Sequence, residues 1–282
     1  MKRILKRVFV LFLLSAYLPL FAQSLAITES STDHKYPGKF VWADLLTTDV
    51  RKAARFYSDV FGWHATYFDA DYLVLSHRGQ RLGGIAKNQD EATESNQWIS
   101  FISSSDLEKS HRYLTNAGAE VVFEPTFIEG RGEIAIYVAP DSAVFGVIDS
   151  ASGDPVEEGA EIGEWVWIEL WSTDTKIAAA FYAELGYEVV DNWMSDRDQD
   201  LLLAVGEIAR AGLVQGHESQ KKSIWLPYVL VESVADTLLK VKKAGGESRE
   251  LKGEAKPNIV LIADPTGGLL AIYEAPQWEG ES

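Results

Sequence analysis

The chain repeats itself. Trp42-Ala-Asp44-Leu45-Leu-Thr-Thr48-Asp49, then Phe56-Tyr57, then Phe61-Gly62-Trp63, returns as Trp167-Ile-Glu169-Leu170-Trp-Ser-Thr173-Asp174, Phe181-Tyr182 and Leu185-Gly186-Tyr187. The offset is 125 residues from the tryptophan through the Phe-Tyr pair, and one residue is lost before the glycine. Farther on, Trp98 recurs as Trp225 at an offset of 127, and Ala139-Pro140 aligns with Asp264-Pro265 at 125. A self-match sustained over most of a chain means two copies of one structural unit in tandem. The expected organisation is a first domain over 38–150 and a second over 164–276, joined by an acidic, glycine-containing linker at 151–163. A polar lead-in at 25–37, expected to be poorly ordered, and a tail at 277–282 flank them. An apolar fraction of 46% is ample for a packed core in each unit.

Each copy opens with a strand and then a helix. Over 40–46, Phe40, Trp42, Asp44 and Leu46 alternate with Val41, Ala43 and Leu45. Over 165–171, Trp165, Trp167, Glu169 and Trp171 alternate with Val166, Ile168 and Leu170. That period of two assigns strand. Next come Ala53, Phe56, Tyr57 and Val60, and in the second copy Ala178, Phe181, Tyr182 and Leu185, the apolar stripe of a helix. Asp49 and Asp174 stand at the N-cap, where a carboxylate accepts from the free N–H groups of the first turn. The second half of each copy has the same outline. Strands are expected over 98–103 and 225–231, and short helices begin after Asp106 and Ser233 and end before Gly118 and Gly245. Apolar stretches at 133–138 with 144–148, and at 259–262 with 269–273, read as further strands.

The N-terminus reads as an address. Lys2, Arg3, Lys6 and Arg7 precede an apolar run of 14 residues at 8–21, then Ala22-Gln23-Ser24. That is the order of a secretory signal peptide over 1–24, cleaved between Ala22 and Ser24, which places the protein in the periplasm or outside the cell. An uncleaved N-terminal membrane anchor is the minor alternative, since a bilayer span needs about 20 residues. Loss of 1–24 takes four basic residues and no acidic one, moving the net charge from −16 to −20. Such a balance argues against nucleic acid and anionic membrane surfaces as partners, but it names no ligand, since an acidic surface is most often just a solvated one; a small-molecule ligand stays open. With no cysteine, disulfides, thiol chemistry and a lipid anchor are excluded.

The combination W-x-[DE]-L-x-[ST]-T-D, FY and [FL]-G-[WY], with Ala-Asp264-Pro265-Thr-Gly-Gly268 before the last strand, resembles the vicinal-oxygen-chelate superfamily. Glyoxalases, bleomycin-resistance proteins and extradiol dioxygenases are members. The resemblance covers about 38–276 and implies an α+β fold of tandem domains, each of two βαβββ modules forming a curled sheet cup with helices outside. It also locates where metal-dependent members hold their ion. Those positions carry Trp42 and Trp167, about Ile99 and Leu226, Gly146 and Ala271, and the windows 82–86 and near Leu213 contain no His or Glu. A divalent ion needs several N, O or S donors, so no metal and no other cofactor is expected. His34, His64, His77, His111 and His217 do not restore a site, because no two share an element at ligand spacing.

If Trp42 and Trp167 occupy former ligand positions, they point into the two cups, with Asp44, Glu169 and Trp171 on the same faces and Val41, Ala43, Val166, Ile168 and Leu170 turned to the helices. Tyr228 and Tyr273 complete the set of candidate ligand-binding residues. An aromatic wall beside one carboxylate suits a flat or cationic small molecule. Against this stands the reading that the tryptophans plug the cups. Three function classes follow: metal-independent small-molecule binding; a metal-free enzyme of lyase, isomerase or dioxygenase type with Asp44 or Glu169 as general acid or base; or a structural scaffold. There is no Gly-x-Ser-x-Gly elbow for nucleophilic catalysis, and no helix follows Gly83-Gly84 or Gly267-Gly268 to make a phosphate loop.

Overall fold

A computed structural model describes residues 25–89, 96–192, 200–249 and 258–275. The expected signal peptide at 1–24 and the tail at 277–282 lie outside the described residues. The first half runs β1 (Phe40–Thr47), α1 (Val50–Phe61), β2 (His64–Tyr67), β3 (Tyr72–His77) and β4 (Gln80–Lys87). It continues through β5 (Gln97–Ser103), α2 (Leu107–Asn116), β6 (Glu120–Ile128), β7 (Gly132–Val138) and β8 (Val144–Ser150). The second half repeats this order as β9 (Trp165–Ser172), α3 (Thr175–Glu184), β10 (Glu188–Asp191), β11 (Leu201–Val205) and β12 (Ile208–Gln215). Its second module is β13 (Ile224–Val231), α4 (Val234–Lys243), β14 (Glu247–Arg249), β15 (Ile259–Ala263) and β16 (Leu269–Glu274).

Each half is one open eight-stranded mixed sheet, in the orders β2-β3-β4-β1-β5-β8-β7-β6 and β10-β11-β12-β9-β13-β16-β15-β14. This is the tandem α+β architecture of paired βαβββ modules that the resemblance implied. Local chemistry starts each helix. Asp49 accepts from the Lys52 N–H, Asp106 from Lys109, Asp174 from Lys176 and Ile177, and Ser233 from Asp236. Gly62 closes α1 in the left-handed conformation with φ of 74°, which a glycine adopts without strain.

Outside the cups is not solvent. The helix layer of one domain packs on that of the other, so each principal core is shared. One core joins Leu45, Phe56, Tyr57, Trp63 and Trp98 of the first domain to Val229, Val241 and Ile272 of the second. The other joins Leu114, Tyr137 and Phe145 to Phe181, Tyr182 and Trp225. Polar contacts cross as well: the Tyr57 hydroxyl donates to Asp264 Oδ2 at 2.8 Å, and Trp165 Nε1 to the Leu82 carbonyl at 2.8 Å.

The strand phase departs from strict alternation at one place in each domain. Trp42, Asp44 and Leu46 lie on the cup side of β1, and Ala43 and Leu45 on the helix side, but Val41 joins Trp42 in the cup cluster. Val166 does the same beside Trp167. The cause is a bulge between Phe40 and Trp42 in the β1/β5 ladder, and its counterpart in β9/β13, where Trp167 faces Tyr228 but Trp165 faces Val229. One extra residue flips everything before it. Phe40 therefore packs against Trp225 of the other domain at 4.6 Å between ring centroids, and Trp165 against Trp63 at 5.0 Å. The expectation that Val41 and Val166 turn to the helices is corrected; that for Ala43, Ile168 and Leu170 stands.

The lead-in is also more than a polar tether. Leu25 and Ile27 are buried in the cup of the first domain. Residues 28–36 run along the linker, with Thr32 N–H donating to the Ser152 carbonyl at 2.8 Å and Tyr36 N–H to Asp154 Oδ2 at 2.6 Å. Asp154, fully buried, also accepts from the Ser103 hydroxyl at 2.5 Å. The apolar pair at its start, not its polar majority, decides where this segment lies.

Candidate functional site

The cup of the first domain is filled by its own side chains. Asp44, on β1, is buried, and its Oδ1 accepts from Trp42 Nε1 at 2.8 Å and from the Tyr72 hydroxyl at 2.8 Å. Arg131, from the turn before β7, reaches in, donates to the Tyr72 hydroxyl at 2.5 Å and stands 3.9 Å from Asp44 Oδ2. Its guanidinium lies over the Trp42 ring at 4.4 Å from the centroid and over Tyr72 at 5.6 Å. Burial pushes the Tyr72 phenol well above its ordinary range, Arg131 opposing and Asp44 adding to the shift. Gly84, opposite Asp44 on β4, makes this possible: a Cβ there would lie 2.1 Å from the Tyr72 hydroxyl and 2.3 Å from Asp44 Oδ1. With Leu25 among the lining side chains, the space left is about 10 Å³, room for roughly one water.

The cup of the second domain centres on a carboxylate too, but with other partners, and is left partly open. Glu169, on β9, accepts at Oε2 from Trp171 Nε1 at 3.0 Å and from the Tyr228 hydroxyl. Gly212 lies opposite Glu169 on β12, as Gly84 lies opposite Asp44. Trp167, Glu169, Trp171 and Tyr273 are each only half-buried, whereas Trp42 and Asp44 are 3% and 7% exposed. Tyr228 is buried on the cup floor beside Leu226 and Ala271. The structure thus brings Trp42 with Asp44 into one cup and Trp167, Glu169, Trp171, Tyr228 and Tyr273 into the other.

Among the described residues, neither cup suits a divalent cation. Across the first cup Trp42 pairs with Phe101, Asp44 with Ile99 and Phe101 with Gly146; across the second Glu169 pairs with Leu226 and Tyr228 with Ala271. Among the described residues, the carboxylates of each cup, Asp44 in the first and Glu169 with Asp200 in the second, stand amid aromatic and aliphatic side chains and fall short of the donors that such an ion gathers. Among the described residues no group of three His, Cys, Asp or Glu side chains converges as a metal site.

Sequence reasoning did not find Tyr72, Arg131, Leu25 or Ile27. Arg131 sits between Gly130 and Gly132, with φ of 79° and 105°, in a Gly-Arg-Gly turn that in sequence reads as a solvent-facing loop tip. The signal that could have found it is Gly132 itself, since a Cβ there would lie 2.1 Å from the Asp149 carbonyl oxygen. That close approach holds the turn against the sheet.

Paired βαβββ cups of this kind define the vicinal-oxygen-chelate class. Residues 39–137, within the first domain, match the model of the Glyoxalase/Bleomycin resistance protein/Dioxygenase superfamily. The chain is 29% identical over 177 residues to the anthracycline biosynthesis protein DauV of Streptomyces sp. (strain C5), a match spanning 55% of this chain and 63% of that protein. It is 25% identical over 262 residues to the anthracycline biosynthesis protein DnrV of Streptomyces peucetius, spanning 84% and 94%. Among solved structures, the Mn(II)-bound glyoxalase from Novosphingobium aromaticivorans aligns over 85% of this chain and 83% of its own, with a TM-score of 0.58 at 19% identity. At that identity the likeness speaks for the fold alone.

Proposed function

We propose that this is an exported protein that binds an aromatic or cationic small molecule in the cup of its second domain, without a metal. The observation that carries the reading is the contrast between the cups. The first is closed by Arg131, Trp42, Tyr72 and the Leu25 segment, down to about 10 Å³. The second presents half-buried Trp167, Trp171 and Tyr273 around Glu169. Partly exposed aromatic rings beside a few oriented polar groups are the composition of a small-molecule pocket, not of a finished core. The relatives named for anthracycline biosynthesis are in keeping with a planar aromatic ligand.

The test is a titration of the mature protein with a library of aromatic metabolites, read by tryptophan fluorescence and thermal shift. The expected result is a ligand whose quenching is lost in Trp171→Phe while the fold stays intact. A library with no hit, or a hit indifferent to both Trp171→Phe and Trp167→Ala, would overturn it. Export rests on Lys2, Arg3, Lys6 and Arg7 before the apolar run. N-terminal sequencing of the exported protein should begin between Ala22 and Leu25, and a cytoplasmic protein starting at Met1 would count against it.

A further inference from the structure

The first cup shows, with a residue of the chain itself, what the second is shaped to receive. In the first, one carboxylate oxygen, Asp44 Oδ1, is taken by a Trp indole N–H two residues away and by a Tyr hydroxyl. The other oxygen, Oδ2, faces the Arg131 guanidinium at 3.9 Å, and that cation lies over the Trp42 ring, 4.4 Å from its centroid. In the second, Glu169 Oε2 is taken by the indole N–H of Trp171, which follows the acid where Trp42 precedes Asp44, and by the hydroxyl of Tyr228, which comes from β13 where Tyr72 comes from β3. Its Oε1 lies over Gly212, 3.3 Å from where a Cβ there would stand, and has no hydrogen-bond partner among the described residues. No described Lys or Arg forms an ion pair with Glu169. The residue 125 after Arg131 is Lys256, which lies outside the described residues.

We propose that the second cup takes a planar cation, a guanidinium or amidinium group on a flat or apolar body, seated between the Trp167 and Trp171 walls with its N–H groups on Glu169. This rests on the binding reading above and narrows it to a class of ligand. A guanidinium or amidinium group presents parallel N–H donors that match a carboxylate edge. It can lie over an indole as Arg131 lies over Trp42, and such contacts strengthen as the group is desolvated. A net charge of −16 favours a cation at long range over a neutral or anionic competitor.

The probes are benzamidine and its neutral isostere benzamide, titrated against the mature protein by tryptophan fluorescence and calorimetry. Benzamidine is expected to bind at least tenfold tighter than benzamide and to weaken as salt is raised. Glu169→Gln should remove at least tenfold of benzamidine affinity and bring the benzamidine-to-benzamide ratio toward one. Equal binding of the two probes, both lost in Trp171→Phe, would overturn the cation and leave the aromatic site standing. Binding of neither probe, nor of any aromatic library member, would overturn both. Benzamidine binding that appears only in Lys256→Ala would mean that the chain supplies its own cation there too, and would overturn a free ligand of this class.

Discussion

At the scale of single residues, the first cup depends on an absent methyl group. Gly84→Ala places a Cβ 2.1 Å from the Tyr72 hydroxyl and 2.3 Å from Asp44 Oδ1, neither of which can retreat without breaking the network. Overpacking of this kind costs about 1–3 kcal/mol. Urea melts should show that loss for Gly84→Ala and none for Gly159→Ala, where a Cβ meets nothing within 4 Å. Trp42 and Trp167 then separate plug from wall. Trp42 is 3% exposed beneath Arg131, so Trp42→Ala leaves a cavity and a cation without its ring, at about 3–5 kcal/mol. Trp167 is only half-buried. Trp167→Ala should lower stability distinctly less in the same melts, and equal losses would mean that the second cup is as full as the first.

At the scale of elements, the segment from Leu25 to Tyr36 acts as a strap. Ile27 is fully buried in the first cup, while the chain beyond it is held by backbone bonds to the linker. Ile27→Ala should cost about 2–5 kcal/mol, as for other fully buried isoleucines. It should also speed proteolysis within 25–36, because the apolar anchor is the part that keeps these polar residues against the sheet. Unchanged melting and cleavage in that variant would show the anchoring contact to be dispensable. The bulges at Val41 and Val166 are the other element-scale device. They send Phe40 and Trp165 across to the partner domain's core while keeping Trp42 and Trp167 in the cups.

At the scale of the whole molecule, the two principal cores draw on both domains, while the cup clusters belong to one domain each. Unfolding should be one transition, coincident by tryptophan fluorescence and far-ultraviolet circular dichroism; two resolved transitions would contradict the shared cores. The same burial sets the alkaline limit. Tyr57, Tyr72, Tyr137, Tyr182 and Tyr187 are all held above the ordinary phenol range, chiefly by burial. The folded state keeps these protons after the unfolded chain releases them near pH ~10. Stability is therefore unaffected by them below that pH and falls as pH rises through it, by up to about 1.4 kcal/mol per pH unit for each tyrosine. Lys39, lowered chiefly by burial, acts in the opposite direction, but it is one group against five. Tyr187→Phe should lessen the slope by about one proton in urea melts taken across pH 8–11, and an undiminished slope would show that Tyr187 does not contribute.

Repetition, helix caps and alternation are short-range or self-similar signals, and they were legible without coordinates. The 125-residue offset gave the tandem domains, Asp49 and Asp174 gave the helix starts, and alternation from Trp42 to Leu46 and from Trp167 to Trp171 placed those tryptophans beside their carboxylates. Sequence alone left plugging and binding open for both cups alike, because the two copies read the same there. The difference arises from groups far along the chain. Tyr72 reaches Asp44 across 28 residues and Arg131 reaches Tyr72 across 59, while Ile27 arrives from a segment whose composition is mostly polar. The bulges escaped for a related reason: a period of two assumes an unbroken ladder, and the break is set by pairing with β5 and β13. Local pattern carries information about a residue's own element, whereas the filling of a cavity depends on which distant side chain is long enough, and of the right charge, to reach it.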